Sequence, residues 1–317
     1  MKDTYNKLVM IMHRKCNAQC SICCFSCTPE SHEKLKLQEM LSYVDQAKDI
    51  DDITSVSLTG GEPFLEYRSL VQLIKRATEN GLSVSTITNG NWATSYEKAY
   101  DRLLELKSYG LKYLNISHDK YHKEYVPTGC VKNVLDAALQ LGIATTLVMV
   151  AKREDSVGSI VNELGNGLYG TNLNVAPCLP FGAAANYSDE HFDRLLDVEG
   201  LRCVYGKNMV VGYEGTVFPC CSQVIYETGL GVGNYEKMTL QEAVSRLENN
   251  ALLYLLRNET MDFFIKIARE KLGIKVPGKV VNVCELCAKL FTKENIVLFY
   301  PYVMNRIKEI RKEHTNV

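Results

Sequence analysis

The chain has no apolar run approaching the roughly 20 residues that span a bilayer. Its first residues, MKDTYNKLVMIMHRK, lack the apolar core and small-residue cleavage site of a secretory signal. It also has almost no net charge: 36 Lys and Arg stand against 37 Asp and Glu, leaving a formal −1. That balance argues against a large nucleic-acid footprint, which needs a basic face. No internal repeat and no low-complexity segment is present, which excludes a solenoid or a disordered array. A cytoplasmic protein that engages neither nucleic acid nor membrane is expected. What the chain does have is cysteine, twelve in 317 residues. In a cytosolic protein that number points to metal ligation or catalysis rather than to disulfides. At 46% hydrophobic and 23% charged the composition supports a sizeable core. The length implies about two domains.

Five of the cysteines fall within His13 to Cys27, HRKCNAQCSICCFSC. Cys16, Cys20 and Cys23 have the spacing Cys-x3-Cys-x2-Cys. A loop so spaced can bring three thiolates to three irons of one cube, and a cube usually takes four thiolates. The open iron could chelate the amino and carboxylate groups of S-adenosylmethionine, a cofactor of radical chemistry. The loop resembles the cluster loop of the radical S-adenosylmethionine (SAM) superfamily. Zinc is the alternative metal, with Cys24 or Cys27 as a fourth ligand.

Hydrophobic periodicity predicts strands at 5–12, Ile53–Thr59, Leu82–Thr88, Leu111–Ser117, Ile143–Val150 and Leu173–Ala176. Helices are expected between them, at 33–50, 66–80, 94–109, 131–141 and 156–164, with HDKYHKEY as a loop after the fourth strand. Six alternating units imply parallel strands and crossover helices. They do not close an eight-stranded barrel. The expected fold is α/β: a partial (β/α)6 TIM-like barrel at 1–180, whose chemistry sits at the C-terminal strand ends. The cysteine loop, Gly-Gly-Glu-Pro, Asn89 and His118-Asp119 all fall there. Pro177–Asp189, PCLPFGAAANYSD, is rich in Pro, Gly and Ala and is read as the boundary. Residues 181–317 form the second domain: a hairpin around Glu214-Gly215, helices at 239–257 and 259–272, Cys284-x2-Cys287, and a final helix or helix pair at 293–313 with a solvated charged end. The first barrel strand begins almost at once, so no separate leader-binding domain is expected upstream.

Thr59-Gly60-Gly61-Glu62-Pro63 follows the second strand. Its glycines permit close backbone approach. By resemblance, Gly60, Gly61 and Glu62 lie against the methionine amino group of the cofactor, Asn89 and Ser117 contact its ribose or carboxylate, and Ile22 packs on its adenine. Ordinary turn chemistry is the alternative for Asn89 and Ser117. Gly215-x4-Cys220 and Cys284-x2-Cys287 resemble the small C-terminal cluster domain, of twitch or SPASM type, of peptide-modifying radical enzymes. That resemblance implies a second [4Fe-4S] cluster on Cys203, Cys220, Cys284 and Cys287; zinc, or buried free cysteines, are the alternatives. Adjacent residues of an extended segment face opposite ways. If Cys220 turns to the auxiliary cluster, Cys221 turns away, where its thiol could donate a hydrogen atom.

Cys-Cys-Phe-Ser-Cys (23–27), Phe-Pro-Cys-Cys-Ser (218–222), LLYLLRNE (252–259), Cys-x2-Cys-x3-Phe (284–291) and Phe-Tyr-Pro-Tyr (299–302) together resemble the peptide epimerases that make epipeptides. The resemblance spans nearly the whole chain. It implies abstraction of an α-hydrogen from an L-residue of a ribosomally made precursor peptide, and hydrogen return from the thiol of Cys221. An electron donor such as flavodoxin or ferredoxin is implied as a partner. One departure stands out. Those enzymes carry an aspartate a few residues after the first auxiliary cysteine, whereas this chain has Val204-Tyr205-Gly206-Lys207-Asn208; Asp119 is a candidate substitute. The rival readings are a radical maturase that forms thioether cross-links, and a non-catalytic zinc- or cluster-binding protein. Cys24, Cys27, Cys130 and Cys178 receive no role.

Overall fold

The computed structural model of the chain describes residues 5–204 and 208–315. Tyr205, Gly206 and Lys207, in the segment that lacks the acid, lie outside the described residues.

Strands β1 (Lys7–Ile11), β2 (Ser55–Thr59), β3 (Ser83–Thr88), β4 (Leu111–Ser117), β5 (Ala144–Ala151) and β6 (Thr171–Pro177) pair in parallel and in chain order. The crossovers carry α1 (Leu37–Ala47), α2 (Tyr67–Glu79), α3 (Tyr96–Ser108), α4 (Lys120–Lys123), α5 (Thr128–Leu141) and α6 (Gly158–Leu164). Each helix turns one apolar stripe to the sheet. In α2 the stripe is Leu70, Leu73, Ile74 and Ala77, all buried. Burying each of the larger three stabilises the fold by about 1.5–3 kcal/mol. Ser95 starts α3 by accepting the Lys98 N–H at 3.3 Å. The segment HDKYHKEY is not a plain loop: Asp119 caps the one-turn helix α4 within it.

The rest of the chain holds β7 (Leu196–Asp197), β8 (Asn208–Val211), β9 (Thr216–Phe218), β10 (Gly233–Asn234), α7 (Leu240–Glu248), α8 (Ala251–Asn258), α9 (Asp262–Ile267), β11 (Lys279–Val280), α10 (Val283–Leu290) and α11 (Ile296–Thr315). The β8–β9 hairpin does not stand apart from the barrel. β8 pairs in parallel with the free side of β1, from Lys7↔Asn208 to Met10↔Val211. Among the described residues the sheet has nine strands, in the order β10-β9-β8-β1-β2-β3-β4-β5-β6. Sequence periodicity predicts the hairpin but carries no sign of this docking, because pairing partners are not local. The expected helix at 239–257 is two helices, since Asn250 caps α8 by accepting the Leu253 N–H. The expected helix at 259–272 is α9 continued by a π turn to Gly273. Pro301 lies inside α11. The charged end of α11 is exposed, as expected. The buried core runs without a break from barrel residues such as Leu8 and Met10 to Phe264, Phe291 and Phe299. No helix among the described residues is long and apolar enough to cross a membrane.

Candidate metal and cofactor site at the barrel mouth

Parallel strands bring all their C-terminal ends to one mouth. The cysteine loop leaves β1 there and is clamped from three sides. His13 bridges Lys34, and Lys15 bridges Thr28. The Arg14 guanidinium donates to Phe25 O at 3.1 Å and to Ser26 O at 3.0 Å. It thereby holds the turn in which Ser26 takes a positive φ of 48°, unusual for a residue with a side chain. From the neighbouring strand, Gly61 N–H donates to His13 O at 2.7 Å and Glu62 N–H to Lys15 O at 3.0 Å.

The two glycines therefore serve backbone-to-backbone packing against this loop. A Cβ on Gly61 would lie 2.0 Å from Lys15 O. Gly61→Ala is expected to push the loop off its seat. Reconstituted G61A should then hold about four of the eight irons expected of two cubes, read by iron analysis per chain.

Glu62 is buried and accepts three hydrogen bonds: from Phe64 N at 3.1 Å, Thr88 Oγ1 at 2.8 Å and Asn89 N at 2.7 Å. Burial pushes its carboxyl up to about 7, opposed by those donors. It ties β2 to β3 directly beneath the cysteine loop. Glu62→Gln would set an amide N–H2 against backbone or hydroxyl donors. It should destabilise the fold by about 1–3 kcal/mol, measured by denaturant unfolding.

Asn89 ends β3. Its Nδ2 lies 3.0 Å from Asn17 Oδ1 and 3.7 Å from Cys16 Sγ, so it reaches the cysteine loop itself. Ile22 is packed in the core. Ser117, half-buried, ends β4 opposite Val148. Of His118-Asp119, the histidine turns away: it is buried with Nε2 3.2 Å from Thr128 Oγ1. Both carboxylate oxygens of Asp119 are engaged. Oδ1 accepts from Tyr121 N, His122 N and His122 Nδ1, and Oδ2 from Val150 N. Asp119 is thus a structural acid, which leaves it poorly suited to stand in for the missing aspartate. Burial disfavours charge on His122, but Asp119, Cys23 and Glu62 outweigh it and raise its pKa. His122 thus sets its imidazole, held by Asp119, near the Cys23 thiol and Glu62.

The loop thiols are not equivalent. Burial pushes Cys16 up to about 12 and Cys20 higher, with neighbouring cysteines adding to both. Cys23 differs. The Cys27 side chain and its backbone N–H, 3.4 Å from Cys23 Sγ, favour the thiolate and bring it down to about 6. Cys27 keeps its own proton in consequence. Three thiols forced up by confinement, or made thiolate by a donor, fit a cationic iron cluster that would take their charge. Asn17 Nδ2, next to Cys16, is buried with no partner, a donor free for a cluster sulfide or a cofactor oxygen.

The C-terminal cysteines gather at a second place. Cys203, Cys220, Cys284 and Cys287 line one pocket whose other walls include Val224, Ile225, Leu256 and Met261. Burial pushes Cys220 up to about 12, Cys284 to about 11 and Cys287 well above the ordinary value. Asn282 caps α10 by accepting the Cys284 and Glu285 N–H groups, which presents Cys284 and Cys287 on the first turns. Four thiols in an apolar pocket fit a four-thiolate cluster. Among the described residues no three His, Cys, Asp or Glu side chains converge at the spacing of a single metal ion. Cys221 is exposed, and the Asn208 amide donates to its Sγ at 3.1 Å. The linker after β6 folds back onto the first loop: Ala183 N–H donates to Cys23 O and Tyr187 OH to Ser21 Oγ.

Arg14, His122 and Asn208 escaped the sequence reading. Counting back from Glu214-Gly215 sets Asn208 opposite the Cys220–Cys221 step, a usable signal. Arg14 and His122 depend on tertiary contacts and gave none.

The radical SAM superfamily model matches residues 10–160. YydG of Bacillus subtilis (strain 168), named for peptide biosynthesis, is 30% identical over 94% of this chain and 97% of its own. A GTP 3',8-cyclase of Alkaliphilus metalliredigens (strain QYMF) is 26% identical over 61% of this chain and 63% of its own. Among solved structures, anSMEcpe with bound AdoMet and the Cp18Cys peptide superposes with a TM-score of 0.55 at 16% identity, covering 97% of this chain and 99% of that one. BtrN in complex with AdoMet and 2-DOIA gives 0.51 at 15% identity, over 81% and 89%. These likenesses confirm the α/β radical SAM fold. The chain belongs to the radical SAM superfamily, whose members work through a [4Fe-4S] cluster and S-adenosylmethionine.

Proposed function

We propose that this chain is a peptide epimerase that converts L-residues to D-residues in a ribosomally made precursor peptide. The observation that carries this reading is the division of one cysteine pair. Cys220 lines the apolar pocket with three other cysteines, while Cys221 is exposed beside Asn208. Similarity to YydG along nearly the whole chain supports a peptide substrate.

Cys16, Cys20 and Cys23 would hold the first cluster, with Gly60, Gly61, Glu62, Asn89, Ile22 and Ser117 around the cofactor. Cys203, Cys220, Cys284 and Cys287 would hold the second. When bound, the first cluster and S-adenosylmethionine, with one electron from the donor protein, would supply the radical chemistry that removes the α-hydrogen, with methionine and 5′-deoxyadenosine as by-products. Cys221 then gives its S–H hydrogen to the α-carbon from the opposite face: the S–H bond breaks and the new C–H bond forms. One electron from a flavodoxin or ferredoxin and one solvent proton restore the thiol. The Asn208 amide orients the sulfur. The cysteine cross-linking rival uses a thiol of the substrate and has no need of an exposed enzyme thiol.

The test is product analysis. Reconstituted enzyme, S-adenosylmethionine, a reductant and the candidate peptide should give D-residues on chiral hydrolysate analysis, at unchanged mass. A product two hydrogens lighter would mean cross-linking. Purified protein holding zinc and no iron would mean a non-catalytic role.

A further inference from the structure

The barrel is open along β6, and that edge is bare. Among the described residues β6 ends the sheet and pairs only with β5. The direction of its free groups follows from its neighbours. On β5, Val148 O accepts from His118 N and Val150 N–H donates to Asp119, both on the β4 side. Ala151 O accepts from Cys178 N on the β6 side. Backbone groups alternate along a strand. Asn172, Asn174 and Ala176 therefore point their N–H and C=O toward β5. Leu173 and Val175 point theirs outward, to no partner among the described residues.

Side chains alternate as well. Asn172 lines the polar barrel interior with Ser55, Ser85, Asn115 and Thr146. Leu173 and Val175 lie on the other face and are 49% and 47% exposed. Proteins usually blunt such an edge with charge, an internal proline or a bulge. TNLNVAP has no charge, its proline is the last residue, and its register with β5 is unbroken. The edge also leads to the candidate site. β6 runs into Cys178 and then into the linker that binds Cys23 O and Ser21.

We propose that β6 is the docking strand for the precursor peptide, which adds to the sheet as an extended strand. Backbone pairing at Leu173 and Val175 recognises the peptide main chain. The two faces ask for a segment with polar side chains toward the Ser/Thr/Asn interior and apolar ones beside Leu173 and Val175. Seven residues of edge give about 23 Å of track, which ends at the cysteine loop. The inference rests on the peptide-modifying reading above.

The test is residue-resolved hydrogen exchange on the full, reconstituted enzyme. The probe is a synthetic copy of the candidate precursor peptide used in the product test above. Leu173 and Val175 amides should exchange fast without peptide and slow at least about tenfold with it. Val175→Pro removes one outward N–H and no bond to β5. It should raise the peptide KM at least about tenfold, and Val175→Thr, which restores the N–H, should recover most of that loss. Three results would overturn the proposal. Peptide turnover with both amides still fast sinks it and leaves the epimerase reading standing. Slowing that appears without peptide and rises with enzyme concentration makes the edge a contact between two copies of the chain. A peptide that is neither bound nor modified removes the functional reading as well.

Discussion

Cys221→Ala should keep both clusters, still form 5′-deoxyadenosine, and make D-residue at least about a hundredfold more slowly, a loss of about 2.7 kcal/mol in transition-state stabilisation. The first abstraction does not use this thiol, so cofactor cleavage survives. The carbon radical then lacks a donor on its far face and returns to the L-residue or decays. The geometry makes the control specific. Cys220, the adjacent residue, lines the cysteine pocket, so Cys220→Ala should lower iron content whereas Cys221→Ala should not. Chiral analysis, iron content and 5′-deoxyadenosine yield, measured on both variants, separate the two roles. If Cys221→Ala makes D-residue at the normal rate, Cys221 is not the donor.

Replacing Cys16, Cys20 and Cys23 together by alanine should leave about four of eight irons and abolish cofactor cleavage. The remaining iron would sit in the C-terminal pocket, whose thiols lie on other elements. Cys24 and Cys27 stay in this variant, so it also tests whether they can hold metal alone. The Cys27 backbone N–H donates to Cys23 Sγ, which supports Cys23 as a ligand. A triple variant that still cleaves the cofactor would reject the assignment of this loop.

Much of this molecule is readable from its sequence because its signals are local. The alternation of apolar strands and amphipathic helices gave six βα units, with β4 matching to the residue. The Cys-x3-Cys-x2-Cys spacing and Gly-Gly-Glu-Pro marked the mouth. What stayed hidden is what distant segments do to one another. The glycines were expected to permit close backbone approach; that the backbone admitted at Gly61 is that of Lys15 is a tertiary fact with no local signal. Glu62 ties β2 to β3 through three hydrogen bonds that no spacing rule predicts. Asp119 was held in reserve as a substrate acid, yet its oxygens cap α4 and bind Val150. The docking of β8 on β1 joins residues about two hundred apart, beyond the reach of any periodicity. It brings the hairpin that precedes Cys220 and Cys221 against the strand that launches the first cysteine loop.

Mass spectrometry of peptide product made in heavy water tests hydrogen return most directly. A thiol proton exchanges with solvent, whereas a peptide α-hydrogen exchanges very slowly. Each D-residue should therefore carry one deuterium at its α-carbon, and unmodified residues none. D-residues without deuterium, or a product two hydrogens lighter, would contradict a cysteine thiol as the hydrogen donor.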